Sequence, residues 1–483
     1  MTADYVAFHA AERPDAVALL DNGRTVTYAQ FNRDIRQFVR ALQAFDLSRD
    51  SWVGVGCDDI YLDWVILLAC ERLAIPTASL HRTGAREPQN LLDALAFVLS
   101  SWEVAGTAGK RRQAITPEWL QEVRALPEVD ERTLPPKSDS DLVRILRTTG
   151  TTGTPKLLCS SRRTLEVRSD SWTWRLGLDR NARHLITLAL DVPATATLAT
   201  AVIRVGGTAV LENRVHLAEA LLTHDITHLA LFPIHLRRLL EDLPADYRKP
   251  RDLSLVTFGA TLSDALRGEA MAHLASFVED TYGSHETGFI SRIVAMGTGG
   301  VGSVSPVVEV QVVDESGVPV PYGRLGKLRV RAPFMQTEYF GDPELTARVF
   351  KDGWFQPGDL AILQGPRRIQ LIGRSDDILN IGGAKVPPTF IEEMVMRSLG
   401  GGDAGAVSMP SADGIGELWI GVAGAAGSDE EIKARVVQAL GVLEFATIHT
   451  VRLTEIPRNA GGKIQRDLLR QAVAQAAKVP RPA

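Results

Sequence analysis

Apolar residues fall into two rhythms along the first part of the chain. Ala16-Val17-Ala18-Leu19-Leu20 is a short apolar run, Asp21-Asn22-Gly23 supplies turn residues, and Thr25 to Tyr28 resumes as a second short run. That pattern predicts a hairpin. From Tyr28 to Phe45 the apolar positions Phe31, Ile35, Phe38, Val39 and Leu42 recur at helical spacing, which predicts a helix with one buried face. Ser51 to Cys57 then has the texture of a buried strand. Leu185 to Leu190, Ala209 to Leu211, His228 to Phe232 and Leu253 to Gly259 are short apolar runs separated by helical patterns. Such alternation predicts a mostly parallel α/β sheet, because parallel strands need long crossover connections.

The texture changes from Val308 to Val330, where alternating segments surround the turn residues Asp314-Glu315-Ser316-Gly317 and Pro321-Tyr322-Gly323; a β-rich subdomain is expected there. After Gly373-Arg374 the chain restarts with a helix in which Thr389 and Glu392 have capping-box spacing. A glycine-rich stretch follows from Gly400 to Gly427, and the Ala/Lys/Pro-rich end after about Val473 is expected to fray. The expected fold class is therefore α/β: a large N-terminal domain of α/β sheets with a β-rich subdomain, residues 1–373, and a small mobile α+β C-terminal domain, residues 374–483.

Composition narrows the class without changing this picture. A chain of 483 residues, 45% hydrophobic and 23% charged, is an ordinary globular protein able to bury more than one core. The formal net charge of -5 argues against a general nucleic-acid binder. Cys57, Cys70 and Cys159 are far apart and odd in number. They support neither a disulfide framework nor a zinc site with paired ligands, and fit a reducing, cytoplasmic setting. Met1-Thr2-Ala3-Asp4 lacks a basic region before an apolar core, and the apolar run Trp64 to Cys70 ends at Glu71-Arg72, so neither a signal peptide nor a membrane span is expected.

The candidate chemistry begins at Arg147-Thr148-Thr149-Gly150-Thr151-Thr152-Gly153-Thr154-Pro155-Lys156. Glycines let backbone N–H groups turn inward, hydroxyls add donors, and a lysine ammonium places a point charge beside an anion. The loop suits a nucleotide triphosphate. Its spacing does not fit G-x-x-x-x-G-K-[ST], so it is not a Walker P-loop. Taken alone, a Ser/Thr/Gly-rich stretch is more often a linker.

Four further segments accompany the loop: Tyr282-Gly283-Ser284-His285-Glu286-Thr287-Gly288, Trp354-Phe355-Gln356-Pro357-Gly358-Asp359, Gly373-Arg374-Ser375-Asp376-Asp377-Ile378, and Pro457-Arg458-Asn459-Ala460-Gly461-Gly462-Lys463-Ile464-Gln465-Arg466. Together, and in this order, they resemble the motifs of the adenylate-forming superfamily of acyl-CoA synthetases, peptide-synthetase adenylation domains and luciferases. Weaker agreement at Thr27-Tyr28 and Gly259-Ala260 extends the resemblance over nearly the whole chain.

The resemblance implies ATP and Mg²⁺ as cofactors and assigns roles along the chain. Thr148, Thr149, Gly150, Thr151, Thr152 and Lys156 would hold phosphates. Gly259, Ala260, Tyr282 and Gly283 would border the nucleotide, with Gly259 also lining the acid, and Tyr282 offers an aromatic face for adenine. Glu286 would hold Mg²⁺ between phosphates; in isolation that tyrosine and acid would be core packing and a surface charge. Asp359 can accept hydrogen bonds from both ribose hydroxyls, with Arg374 near the ribose. Asp376 lies where the family has its interdomain hinge. Lys463 resembles the catalytic lysine, bridging the attacking carboxylate and the α-phosphate as negative charge builds up. After adenylation the small domain would swing and present another face, including Gly382 and Gly383, to a thiol.

Departures from the family pattern bear on the substrate. His285 replaces a common threonine, and its imidazole either donates to phosphate or substrate or fills space. Leu157, Arg162 and Pro357 replace the usual Gly, His and Thr. The strand that commonly supplies a histidine beside the acyl pocket reads Leu188-Ala189-Leu190-Asp191-Val192-Pro193-Ala194-Thr195. Asp191 there either pairs with a substrate α-amino group or is a turn residue before Pro193. Asn380 and Phe390 stand where a lysine and a glutamate are usual. The expected activity is ATP-dependent adenylation of a small-molecule carboxylic acid, then transfer to coenzyme A or a carrier protein. The alternatives are an amine acceptor, nitrite activation for diazotisation in secondary metabolism, or a catalytically silent nucleotide-binding relative.

Overall fold

The computed structural model describes the chain except for residues 83–86, 149–155, 188–189, 191, 213–216, 245, 250–252, 334, 376, 378, 382–383, 412–415, 442–446, 460–461 and 478–483. Among the described residues, two large sheets dominate the first three-quarters of the chain. In the larger, the strands Val17–Asp21, Thr208–Leu211, Arg183–Ile186, His228–Leu231, Ser254–Phe258 and Phe277–Ser284 lie side by side and pair in parallel. Their crossovers are helices, among them Pro193–Arg204, Pro233–Asp242 and Asp264–His273, as parallel pairing requires. Loops at the carboxyl ends of such strands are the ordinary place for a ligand.

The second sheet has the order Arg111–Ala114, Leu95–Ser100, Trp52–Gly56, Thr77–Ser79, Leu142–Thr148, Lys156–Ser161. Its last two strands are antiparallel, with Thr148 opposite Lys156. Helices Tyr28–Gln43 and Ile60–Arg72 pack between the sheets. One continuous core joins Phe31, Ile35, Val39 and Leu42 to Val53, Val55 and Leu99 of one sheet and to Leu19, Ile186 and Leu211 of the other. The first of these helices starts where Thr27 accepts a hydrogen bond from the Gln30 amide at 3.2 Å, a side-chain N-cap.

Antiparallel strands extend the larger sheet. Gly288–Ile293, Val301–Val304, Arg368–Arg374, Asp359–Gly365 and Leu325–Arg331 continue it, so the β-rich texture after Val308 is part of the same sheet. After Arg374 come a short hairpin, Leu379–Ile381 with Ala384–Val386, and a sheet of Asp403–Pro410, Gly416–Ala423 and Ile448–Arg452 carrying helices Pro388–Leu399, Asp429–Ala439 and Arg466–Ala476. Arg237 donates to the Gly402 carbonyl at 2.6 Å, tying this part to the larger one.

Three local expectations are corrected. The strand expected to reach Leu190 ends at Ile186, and Pro193 opens the next helix, where its missing N–H costs nothing. Thr389 and Glu392 form no capping box: Pro387 and Pro388 start that helix, so Thr389 lies inside the first turn and donates to the Ile372 carbonyl at 2.6 Å, while Glu392 is buried against Arg466. The same spacing does cap at Ser428 and Glu431. The end expected to fray after about Val473 stays helical to Ala476, with Val473 and Ala474 buried, and residues 478–483 lie outside the described residues. No helix among the described residues is long and apolar enough to cross a membrane.

Candidate active site

Segments distant along the chain bring candidate residues together at the carboxyl end of strand Phe277–Ser284. Gly283 is where that strand crowds its neighbour: a Cβ there would collide with the Gly288 carbonyl oxygen. Only glycine allows the turn through His285 and Glu286 into Gly288–Ile293 to close so tightly. The preceding residue, Tyr282, donates its hydroxyl to the Asp359 carboxylate. Phe258 pairs with Thr281, which sets Gly259, at φ +86°, and Ala260 beside the same strand end.

Asp359 and Arg374 face each other across an antiparallel pair. The Arg374 guanidinium donates to the Pro357 carbonyl at 2.6 Å and to Asp359 at 3.4 Å. Gly358, at φ +80°, lies against that guanidinium, so the turn before Asp359 is shaped around it. Burial pushes the Asp359 pKa up, opposed by the Tyr282 hydroxyl and by the positive charges of Arg374 and Lys463. Burial and the neighbouring Asp359 carboxylate hold the Tyr282 phenol protonated, well above its ordinary range.

Lys463, from the far end of the chain, lies within electrostatic reach of this carboxylate. Its loop is closed by the Asn459 amide on the Lys463 carbonyl at 2.9 Å and the Lys463 amide on Asn459 Oδ1 at 3.0 Å. Gly462, at φ +73°, packs against Ile234, just beyond strand His228–Leu231.

The third group is built on Glu286, which is 8% exposed. Tyr339 donates to its Oε1 at 2.5 Å, and Oε2 takes no hydrogen bond from the described residues. The Lys156 ammonium stands over the Tyr339 ring, 5.3 Å from its centroid, so the lysine that ends the Gly/Thr-rich segment and Glu286 share one tyrosine. Burial and the Glu286 charge raise the Tyr339 pKa, and Arg374 opposes that rise; Arg374 thus lies within electrostatic reach of Asp359 and Tyr339 alike. Among the described residues no three His, Cys, Asp or Glu gather into a metal cage. One hard carboxylate with an uncommitted oxygen still fits Mg²⁺, which is ordinarily held by one or two carboxylates together with substrate phosphates.

Thr149, Gly150, Thr151, Thr152, Asp191, Asp376, Gly382 and Gly383 lie outside the described residues, and of Thr148 only the backbone is described. His285 is half-buried, and its carbonyl accepts from Arg168 at 2.9 Å. Arg162 is committed to Asp4, at 2.5 Å, and Leu157 is buried in the second sheet's core. Phe390 is 45% exposed.

The fold also recruits residues that no motif marked. Trp172, His184, Thr187, Ala194, Thr195, Leu198, Ala230 and Phe258 line a small cavity of about 10 Å³ between the larger sheet and helices Arg162–Arg175 and Pro193–Arg204, room for roughly one water. The Trp172 indole donates to Thr197 at 3.1 Å. Burial holds the His184 pKa down to about 4, so this imidazole is neutral near pH 7. Arg168 and Tyr339 sat in ordinary helical and loop texture, and only folding reveals their target.

Residues 6–340 match the family described as AMP-binding enzyme. The chain is 26% identical to the medium/long-chain fatty acid–acyl-carrier-protein ligase FadD10 of Mycobacterium tuberculosis (strain ATCC 25618 / H37Rv), over 99% of this chain and 96% of that protein. It is 25% identical to the 3-hydroxybenzoate–CoA ligase of Aromatoleum sp. (strain CIB), over 95% of this chain and 93% of that protein. Its fold is similar to that of ATP-bound MatB from Rhodopseudomonas palustris, with a TM-score of 0.79 at 21% identity, covering 98% of this chain and 99% of that one.

Proposed function

The chain belongs to the AMP-binding enzyme family, and on that premise we propose that it joins a small carboxylic acid to the α-phosphate of ATP, releases pyrophosphate, and passes the acyl group to a thiol. It is an ATP-dependent, AMP-forming ligase; the acid, the acceptor and the residue roles are the proposal. Two relatives whose names specify an acyl-carrier-protein and a CoA ligase support a thiol acceptor, coenzyme A or a carrier protein.

The observation that carries the reading is the convergence of Lys463, Asp359, Arg374 and Tyr282 with Lys156, Tyr339 and Glu286. Asp359, kept in place by Tyr282 and Arg374, accepts the ribose hydroxyls, and Tyr282 with Gly259, Ala260 and Gly283 borders the base. Lys156 and the loop from Thr148 hold the phosphates. Glu286 is the residue that would hold Mg²⁺, which supplies charge neutralisation of the phosphates when bound. Lys463 places a cation where the attacking carboxylate and the α-phosphate meet, and so stabilises charge that exists mainly in the transition state.

In the second half-reaction, residues 374–483 turn as a lid about Asp376 relative to residues 1–373, withdrawing Lys463 and admitting the thiol. ATP–pyrophosphate exchange across acids graded from short aliphatic to aryl to long-chain tests the first half. Exchange with at least one of these acids is expected, and silence across the whole series would remove the proposal. Product masses with coenzyme A, a carrier protein or an amine as acceptor test the second half.

A further inference from the structure

Arg168 is a buried cation with an unusual set of partners. It sits on helix Arg162–Arg175 at 6% exposure, and among the described residues no carboxylate forms a salt bridge with it. Its two terminal nitrogens instead donate to consecutive backbone carbonyls, Nη1 to His285 and Nη2 to Glu286, each at 2.9 Å. A guanidinium has the planar fork to bind two such acceptors together, and a lysine does not. Burial lowers its pKa to about 10, and the Glu286 charge opposes the fall, so it is cationic at neutral pH.

The Glu286 carbonyl takes a second hydrogen bond, from the Gln336 amide at 2.7 Å. The Gln336 side chain in turn donates to Ser160 at 2.8 Å, on the strand that begins with Lys156. Gly288, at φ +73°, closes the turn beside the arginine, where a Cβ would make only ordinary contact with its side chain. Glu286 is therefore gripped at its backbone by Arg168 and Gln336 and at its carboxylate by Tyr339.

We propose that Arg168 is a positioning residue for metal binding: its fork on the His285 and Glu286 carbonyls aims the Glu286 carboxylate at the divalent cation that accompanies ATP. The inference rests on the reading of Glu286 as the metal carboxylate. Merely filling the space under the turn would be a different role, and the two separate in ATP affinity measured with Mg²⁺ and with EDTA. Residues that orient a metal ligand commonly change metal affinity by about 10- to 100-fold when removed.

Calorimetry with ATP on the full chain, with saturating Mg²⁺ and with EDTA, gives the factor by which the metal tightens binding. In Arg168→Lys that factor is expected to fall about tenfold or more while affinity in EDTA stays within about twofold of the parent. Arg168→Gln, which removes the charge as well, is expected to fall at least as far, and thermal melts check that both variants are folded. A parental Mg²⁺ factor in Arg168→Lys, or an equal loss with and without metal, overturns the inference, as does failure of both variants to melt cooperatively. Glu286→Gln separates the premises. If it keeps the parental factor, the reading of Glu286 itself is wrong; if it loses the factor and Arg168→Lys does not, only the role of Arg168 is wrong.

Discussion

Replacing Glu392 by Gln probes how the Lys463 loop is held. Glu392 is 6% exposed. Its carboxylate accepts the Ala406 amide at 2.9 Å and both terminal nitrogens of Arg466, Nη2 at 3.3 Å. Arg466 opens helix Arg466–Ala476 directly after the lysine loop and also donates to the Ala406 carbonyl at 3.1 Å. Burial raises the Glu392 pKa more than Arg466 lowers it, so desolvation consumes most of what the pair gains. The intact pair then contributes little net stability, but breaking it strands a buried charge at a cost of about 3–5 kcal/mol.

Glu392→Gln is expected to lose about 3 kcal/mol in urea denaturation. Pyrophosphate exchange should fall with it while ATP binding persists, because the lysine loop loses its anchor. Glu392→Met with Arg466→Met together should recover stability to within about 1 kcal/mol of the parent, since both desolvation costs vanish at once. A single-variant loss below about 1 kcal/mol would mean a pair that behaves like a solvated surface bridge. A double variant as unstable as the single would also refute the reasoning.

Lys463→Ala is expected to slow acyl-adenylate formation by about 100-fold or more in single-turnover assays, with ATP affinity by calorimetry little changed; a loss confined to affinity would contradict a transition-state role. Gly283→Ala forces a methyl onto the Gly288 carbonyl and is expected to cost about 1–3 kcal/mol, read as a lower urea midpoint; parental stability would mean the turn has room. His184 is neutral in the fold because burial lowers its pKa from 6.5 to about 4. The unfolded chain therefore takes up the proton first. Stability from this residue is complete above about pH 6.5 and is lost progressively as pH falls toward 4, by up to about 3 kcal/mol. His184→Gln should flatten the corresponding part of the melting temperature–pH curve, and an unchanged slope would clear His184 of that role.

Local chemistry written within a few residues was legible. The helix from Tyr28 appears because its apolar residues sit at helical spacing after a capping threonine, and the parallel strands appear because β-rich runs alternate with helical ones. Gly283 and Gly358 mark turns that no larger residue would allow. The five motif segments identified the family without any knowledge of which surfaces meet. Local spacing failed at Thr389 and Glu392, where two prolines moved the helix start and a partner at Arg466 claimed the acid.

Turns, caps and periodicity act between neighbours along the chain, so the elements, the family and the Gly/Thr-rich segment ending at Lys156 could be read directly from the residues. Tertiary structure alone decided that Arg168 grips a turn 117 residues away, that Tyr339 joins Lys156 to Glu286, and that Trp172 walls a cavity with Phe258. Those contacts are set by how sheets and helices pack in three dimensions, and no local pattern encodes which distant backbone a buried cation will find.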